Sequence, residues 1–210
     1  LSDEAYLTDV RTAVAGAICA QQFANEIHCI GVIGTGLQAR MQVDYLKKIT
    51  ACRKVKVWGR NSEKSEEYKS YMMKLGFNVR ICDSPKYITD TCNLIITTTA
   101  ATEPILFADD IQSGTHITAM GSDTPAKQEL DPNIMKKADC VVADSISQCI
   151  ERGEISHALK DGKLTKNNIV ELGHVLNGQH PGRTSQDQIT VADLTGVAVQ
   201  DIQIATAVYE

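Results

Sequence analysis

The sequence predicts a doubly wound α/β fold, on three observations. Short, continuous apolar runs alternate with helical stretches along most of the chain. The first of these runs ends in a glycine-rich turn that opens a helix, and no apolar segment is long enough to span a membrane. Strands buried on both faces cannot alternate polar with apolar residues, so unbroken runs of four to seven residues between helices point to a parallel sheet covered on both sides.

Each element has its own local justification. Residues 7–23 are rich in Ala and other helix formers and read as one helix, with Thr8 or Asp9 available as its cap. Residues 28–34 (HCIGVIG) form the first strand. A helix follows over 37–49, with apolar residues at Leu37, Met41, Tyr45, Leu46 and Ile49. Residues 55–58 are the second strand; Ser62 caps a helix over 63–75, and Gly76 stops it. The third strand is 78–82, a short helix lies around 85–91, and the fourth strand, 93–99, ends in Thr97, Thr98 and Thr99. Residues 115–121 (THITAMG) make the fifth strand. Asp131 and Pro132 open a short helix over 131–137, at the cap and first-turn positions. Residues 140–143 form the sixth strand, 145–162 read as helical, and 177–188 (NGQHPGRTSQDQ) as a polar surface loop. A last strand, 189–192, precedes a helix from Gly196 onward.

Composition excludes several function classes. A length of 210 residues suits one large domain plus extra elements, and 43% apolar with 22% charged residues is ordinary for a globular chain. With 21 basic against 26 acidic residues the net charge is −5, which argues against a phosphate-backbone binder, so no nucleic-acid partner is expected. No apolar run approaches the roughly 18 residues of a membrane span, and the chain reads as soluble with no membrane partner. The seven cysteines, Cys19, Cys29, Cys52, Cys82, Cys92, Cys140 and Cys149, are scattered and never form C-x-x-C. They read as reduced thiols of a cytoplasmic protein, with no metal site; a nucleophilic cysteine is the sharper alternative, and spacing singles none out. The five histidines lack metal-like spacing. His28 and His116, at strand starts, read as packed or hydrogen-bonded, while His157, His174 and His180 stay open as substrate neighbours. Leu1 opens the chain inside an apparent helix, which predicts a fragment or a processed chain.

The turn after the first strand is G-x-G-x-x-A: Gly34, Thr35, Gly36, Leu37, Gln38, Ala39. Gly34 permits the tight turn, Gly36 lets backbone approach a pyrophosphate, and the small Ala39 brings the helix close to the strand. The phosphates would meet unpaired N–H groups at the helix start, and the fold becomes Rossmann-like. About 20 residues on, where an acidic residue reads the ribose of NAD, stand Arg60, Asn61 and Ser62. A guanidinium with two neutral hydrogen-bonding groups suits a 2′-phosphate, so NADP(H) is favoured and NAD(H) remains possible. The other reading of Arg60 is a solvated loop residue. Alternation puts Thr97 and Thr99 on one face at the carboxyl edge, as cofactor contacts or as ordinary strand threonines. Met120, Gly121 and Ser122 carry the fifth strand to the cofactor, and Asp123 follows. Asp123 could move a proton or stabilise an iminium, or it could cap the turn at Thr124 and Pro125; Lys127 could hold a phosphate or a carboxylate. A Tyr/Lys pair of the short-chain dehydrogenase type, a phosphate-binding G-x-x-x-x-G-K loop, H-E-x-x-H and G-x-S-x-G are all absent.

With these motifs the chain resembles the ornithine cyclodeaminase and mu-crystallin family, over nearly its whole length. The resemblance rests on LTDVRTAVAGA (7–17), GVIGTGLQAR (31–40), HITAMGSDTPAKQELDP (116–132) and GRTSQDQITVADLTG (182–196). ELGHVLNGQHPGRTS (171–185) is similar to members associated with ectoine utilisation. The resemblance implies a Rossmann domain that binds NAD(P) and a second domain that binds substrate and forms a homodimer. The activity it implies is hydride transfer at the α-carbon of an amino or imino acid. It gives Asp123 the general acid/base role, and it places Arg11 on the substrate carboxylate, with Lys127 nearby and Thr99 beside the cofactor. Residues 1–24 would then lead from a substrate/dimerisation domain that is mostly absent, 25–195 would bind the dinucleotide, and 196–210 would return to that domain. A serine of the family's last block is Leu194 here, which argues against ornithine as substrate, as does Arg60. The expectation is an NAD(P)-dependent imino-acid reductase, with an ornithine-type cyclodeaminase or a non-catalytic, crystallin-like NADPH binder as alternatives.

Overall fold

The computed structural model describes residues 5–209. Its strands are β1 (Ile30–Ile33), β2 (Lys54–Trp58), β3 (Asn78–Ile81), β4 (Leu94–Thr97), β5 (Thr102–Leu106), β6 (His116–Ala119), β7 (Gln128–Leu130), β8 (Cys140–Ala143), β9 (Ile169–Glu171) and β10 (Thr190–Asp193). Eight of them form one sheet in the order β3-β2-β1-β4-β6-β10-β8-β9, with every pairing parallel, and β5 pairs with β7 in a separate two-stranded ribbon. The helices are α1 (Tyr6–Phe23), α2 (Leu37–Leu46), α3 (Ser62–Lys74), α4 (Lys86–Thr89), α5 (Pro132–Lys137), α6 (Ile146–Cys149), α7 (Glu154–Lys160), α8 (Leu172–Leu176) and α9 (Ala198–Tyr209).

The doubly wound reading holds, and strand residues show why. Ile30, Val32, Leu94 and Ile96 enter one core with Val43, Leu46 and Tyr68, while Ile33, Ile95, Ile117 and Val191 enter the core on the other face. Both faces of a strand are therefore apolar, which is what its continuous run encodes. Strand order reverses direction at β1 and β4, so the crevice outside their carboxyl ends is the topological switch point where ligands of open α/β sheets bind.

Several local expectations are corrected. Asn61, not Ser62, caps α3, its Oδ1 accepting from Lys64 N at 3.0 Å. Helix α1 starts at Tyr6 after Ala5 in a left-handed conformation, so neither Thr8 nor Asp9 is its cap. The stretch over 145–162 is broken at Gly153, whose φ of 90° cannot continue a helix. Strands β5, β7 and β9 carry no strand signal in the sequence, because they are short and hold Pro104, Glu129 and Glu171 where an apolar residue would mark a strand. Asp131 does cap α5, accepting from Asn133 N at 2.9 Å with Pro132 in the first turn.

The polar loop over 177–188 is fastened by Arg183. Its guanidinium donates to the carbonyls of Phe23 and Gln188, each at 2.5 Å, and to the Thr115 carbonyl at 3.2 Å and Thr190 Oγ1 at 3.0 Å. His116 is fully buried between Thr190 Oγ1 (2.8 Å) and Thr118 Oγ1 (3.2 Å), and burial with the nearby Arg183 charge lowers its pKa to about 3. It is a neutral core histidine. The side chain of His28, by contrast, is exposed. All seven cysteines carry free thiols, with Cys52 half-buried and the others buried. No helix among the described residues is long and apolar enough to cross a membrane.

Gly31 lies at the centre of β1, where a Cβ would sit 2.3 Å from Ile88 Cγ2 of α4 and 3.1 Å from Cys92 Cβ. Gly31→Ala must push α4 off the sheet, and overpacking of this kind costs about 1–3 kcal/mol. Urea denaturation of the variant should show that loss with an unchanged m-value.

Candidate active site

The glycine turn is built from the end of β1 into α2. Gly34 has φ of 119°, donates its N–H to Trp58 O at 2.8 Å, and leaves no room for a Cβ, which would lie 2.6 Å from Thr98 Oγ1. Ala39 is fully buried against the strands, and Thr35 packs on Gly59. Gly36 differs from both: it is exposed, a Cβ there would meet nothing within 4 Å, and no side chain caps the first turn of α2. The first N–H groups of that helix therefore face an open cradle, the arrangement that binds a pyrophosphate. Leu37 is 58% exposed beside it, and Gln38 is turned away to hydrogen-bond Asp9 of α1 at 2.9 Å. Arg60, Asn61 and Ser62 follow β2 at the same edge, all exposed. Asn61 uses its carbonyl as the α3 cap, while Arg60 has no hydrogen-bond or ion-pair partner among the described residues.

The ends of β4 and β6 stand beside this turn. Thr97 is fully buried, and its hydroxyl makes no hydrogen bond among the described residues, while Thr99 Oγ1 accepts from Ala101 N at 3.2 Å. Met120 is half-buried; Gly121 and Ser122 are buried. Ser122 Oγ donates to Lys127 O at 2.5 Å, and His157 Nε2 contacts the same carbonyl at 2.9 Å, closing a tight loop. Asp123 projects from this loop, its side chain 54% exposed, and its Oδ1 accepts from Lys127 Nζ at 2.7 Å. Among the described residues Lys127 is its one hydrogen-bond partner, so it caps no turn there. A cavity of about 200 Å³ is lined by Asp123, Met120, Gln38, Arg11, Leu194 and Gly196, among others. Asp123 and Arg11, 112 positions apart in the chain, thus face one space. Arg11 donates from Nε to Asp201 Oδ1 at 3.0 Å and from Nη1 to Gln200 Oε1 at 3.1 Å, both on α9. Of the other histidines, His174 is exposed, and His180 Nδ1 accepts from Gly182 N.

Sequence reasoning missed the buried acids behind the loop. Glu129 Oε1 accepts from Thr99 N at 2.6 Å and Oε2 from Gly121 N at 2.9 Å. Burial raises its pKa, opposed by these bonds and by the threonine hydroxyls. Glu154 accepts from Glu129 N and Leu130 N, and burial together with Asp193 pushes it well above the ordinary carboxylate range. Asp193 accepts from Ile155 N at 2.8 Å, and burial raises it to about 7. Glu129 lies within the 116–132 block, but a lone carboxylate in a three-residue strand carries no local signal of its role.

This geometry has close relatives. The ornithine cyclodeaminase/mu-crystallin family profile matches residues 1–210. The chain belongs to this family. Among curated members, an uncharacterized cyclodeaminase from Sinorhizobium fredii is 39% identical over 213 residues, and the alanine dehydrogenase of Archaeoglobus fulgidus is 35% identical over 210. The alignments cover 100% and 99% of this chain but 64% of each relative, so the chain spans less than two thirds of the family members it matches. A solved archaeal alanine dehydrogenase dimer with bound NAD matches with a TM-score of 0.92 and 34% identity, over 98% of this chain and 64% of that one. The Thermococcus litoralis Δ1-pyrroline-2-carboxylate reductase, solved with NADH and L-proline, matches with a TM-score of 0.91 and 26% identity, over 97% and 64%.

The buried acids make family-independent behaviour testable. The folded-state pKa of Asp193, about 7 against an ordinary 3.8, means that the folded chain holds this proton more tightly than the unfolded one. The resulting stabilisation is full below the unfolded value and is lost as pH rises through 7. Between pH 5 and 8 Asp193 should lower the unfolding free energy by about 2–3 kcal/mol. Urea denaturation at the two pH values should show that much less change for Asp193→Asn than for the parent chain.

Proposed function

We propose that this chain is the dinucleotide-binding part of an NAD(P)-dependent oxidoreductase acting at the α-carbon of an imino or amino acid. The observation that carries the reading is the shared cavity: Asp123 and Arg11 line it together with Gln38 from the first turn of α2. Residues 34–39 fit a dinucleotide, because Gly36 leaves its cradle open and α2 is uncapped. When bound, the nicotinamide supplies or accepts the hydride. Asp123 gives a proton to the substrate nitrogen or takes one from it, with Lys127 at 2.7 Å holding the carboxylate in place. Arg11, whose Nε and Nη1 already donate to Asp201 and Gln200, keeps Nη2 to receive the substrate carboxylate. Leu194 gives the same cavity an apolar wall, which supports a substrate other than ornithine.

Arg60, exposed and without a hydrogen-bond or ion-pair partner among the described residues, supports NADP(H) over NAD(H), with Asn61 and Ser62 beside it. The α9 helix leaves Val199, Ile202 and Val208 exposed, and α1 leaves Val14 exposed, which supports these helices as parts of a substrate and homodimerisation domain. Net NAD(P)H consumption separates a reductase from a cyclodeaminase, which regenerates its cofactor within one turnover.

Two measurements test the reading. Asp123→Asn in the full-length protein should lower kcat by about 100-fold or more while NADPH still binds; a variant that keeps its turnover removes Asp123 from the chemistry. Titration of the fluorescence of Trp58, two residues before Arg60, should show tighter binding of NADPH than of NADH. Arg60→Ala should erase that difference, and equal affinities in the parent chain would rule out the NADP(H) preference.

A further inference from the structure

Glu129, Glu154 and Asp193 are at most 1% exposed, and no basic side chain pairs with any of them among the described residues. They are joined through backbone instead. Asp193, at the end of β10, accepts from the first turn of α7; Glu154, in that turn, accepts from the N–H groups of Glu129 and Leu130; Glu129 accepts from Thr99 and Gly121. The series begins at one strand end and finishes at two others, those of β4 and β6. Packing is tight at both extremities. A Cβ at Gly153 would lie 2.6 Å from Asp193 Oδ2, and one at Gly121 would lie 2.3 Å from both Glu129 Oε2 and Thr99 O.

We propose that Glu129 is the positioning residue of the Asp123 loop, fixing the Gly121 and Thr99 amides with its two oxygens and so setting where Asp123 stands at the site. The inference rests on the reading of Asp123 as the proton-transfer group. Among the described residues the side chain of Asp123 bonds to Lys127 Nζ and to no backbone group, so the place of its main chain is inherited from Gly121 and Ser122. Glu129 is the group that ties Gly121 to the end of β4. A carboxylate suits this task because both of its oxygens accept, whereas a glutamine would set an NH₂ against one of the two N–H donors. Anchoring β7 itself does not require the Glu129 side chain, since Glu154 already holds the N–H groups of Glu129 and Leu130.

The test compares Glu129→Gln, Asp123→Asn and the double variant of the full-length protein in single-turnover NAD(P)H oxidation with an α-imino acid. Glu129→Gln should slow hydride transfer about 10–100-fold and leave the Kd for NAD(P)H within about threefold. In the Asp123→Asn background the same change should cost almost nothing, because the two residues act through one element. A parental rate, or an equal loss in both backgrounds, overturns the proposal. Should Glu129→Gln fail to fold, Glu154→Gln keeps the Glu129 carboxylate while freeing its backbone; it should show a smaller loss that also vanishes with Asp123→Asn, and a loss that persists there overturns the proposal. Amide hydrogen exchange gives a readout without turnover. In Glu129→Gln, or in Glu154→Gln if only that variant folds, the Thr99 and Gly121 amides should exchange faster while those of α1 and α3 do not change. Unchanged protection overturns the proposal, whereas accelerated exchange in a protein that turns over no imino acid supports the positioning role and counts against the reductase reading alone.

Discussion

The parallel pairing of β1 with both β2 and β4 is the constraint on which the rest depends. In a sheet with one strand direction, every carboxyl end arrives at the same edge, and the loops that leave it converge whatever their distance in sequence. The glycine turn after β1, the Arg60 segment after β2, Thr99 after β4, Asp123 after β6 and Leu194 after β10 share that edge for this reason. Helix α1 closes the site from the side because Gly16 lets it approach α2 closely, with Gln42 Nε2 donating to Thr12 O at 2.9 Å. Arg11 is thereby brought over the edge.

Beneath that edge three buried acids join the loops to one another. Burying a carboxylate without a cation is costly unless N–H donors replace its water. Each of Glu129, Glu154 and Asp193 meets that condition with main-chain amides. Loops at strand ends carry unpaired amides in any case, so each acid satisfies donors that would otherwise be stranded under the site. The raised pKa values of all three record what burial still costs after those bonds are made.

Local chemistry was legible and distant chemistry was not. The main strands, the tight turn at Gly34 and the Asp131–Pro132 helix start are written in residues that are neighbours in sequence, and the structure shows each of them. The placement of Asp123 at a strand end was equally plain. What Arg11 pairs with was not, since Asp201 lies 190 positions away on α9. The buried acids escaped for the same reason, because a glutamate is read as solvated until the amides that surround it are known. Gly153 is the intermediate case: its turn conformation is a local property, but the break it makes was masked by good helix formers on either side.

Arg183 shows how far one side chain can change the character of a segment. The loop over 177–188 consists of residues that favour turns and water, and by composition alone it would be a loose strap on the surface. A planar cation with several donors, set against carbonyls of α1, of the loop itself and of the segment entering β6, makes it a fixed part of the rim opposite the site. The chain thus gains from non-covalent contacts a cross-link between segments 160 positions apart, the task that small secreted domains give to a disulfide, and it does so without oxidising any of its seven thiols.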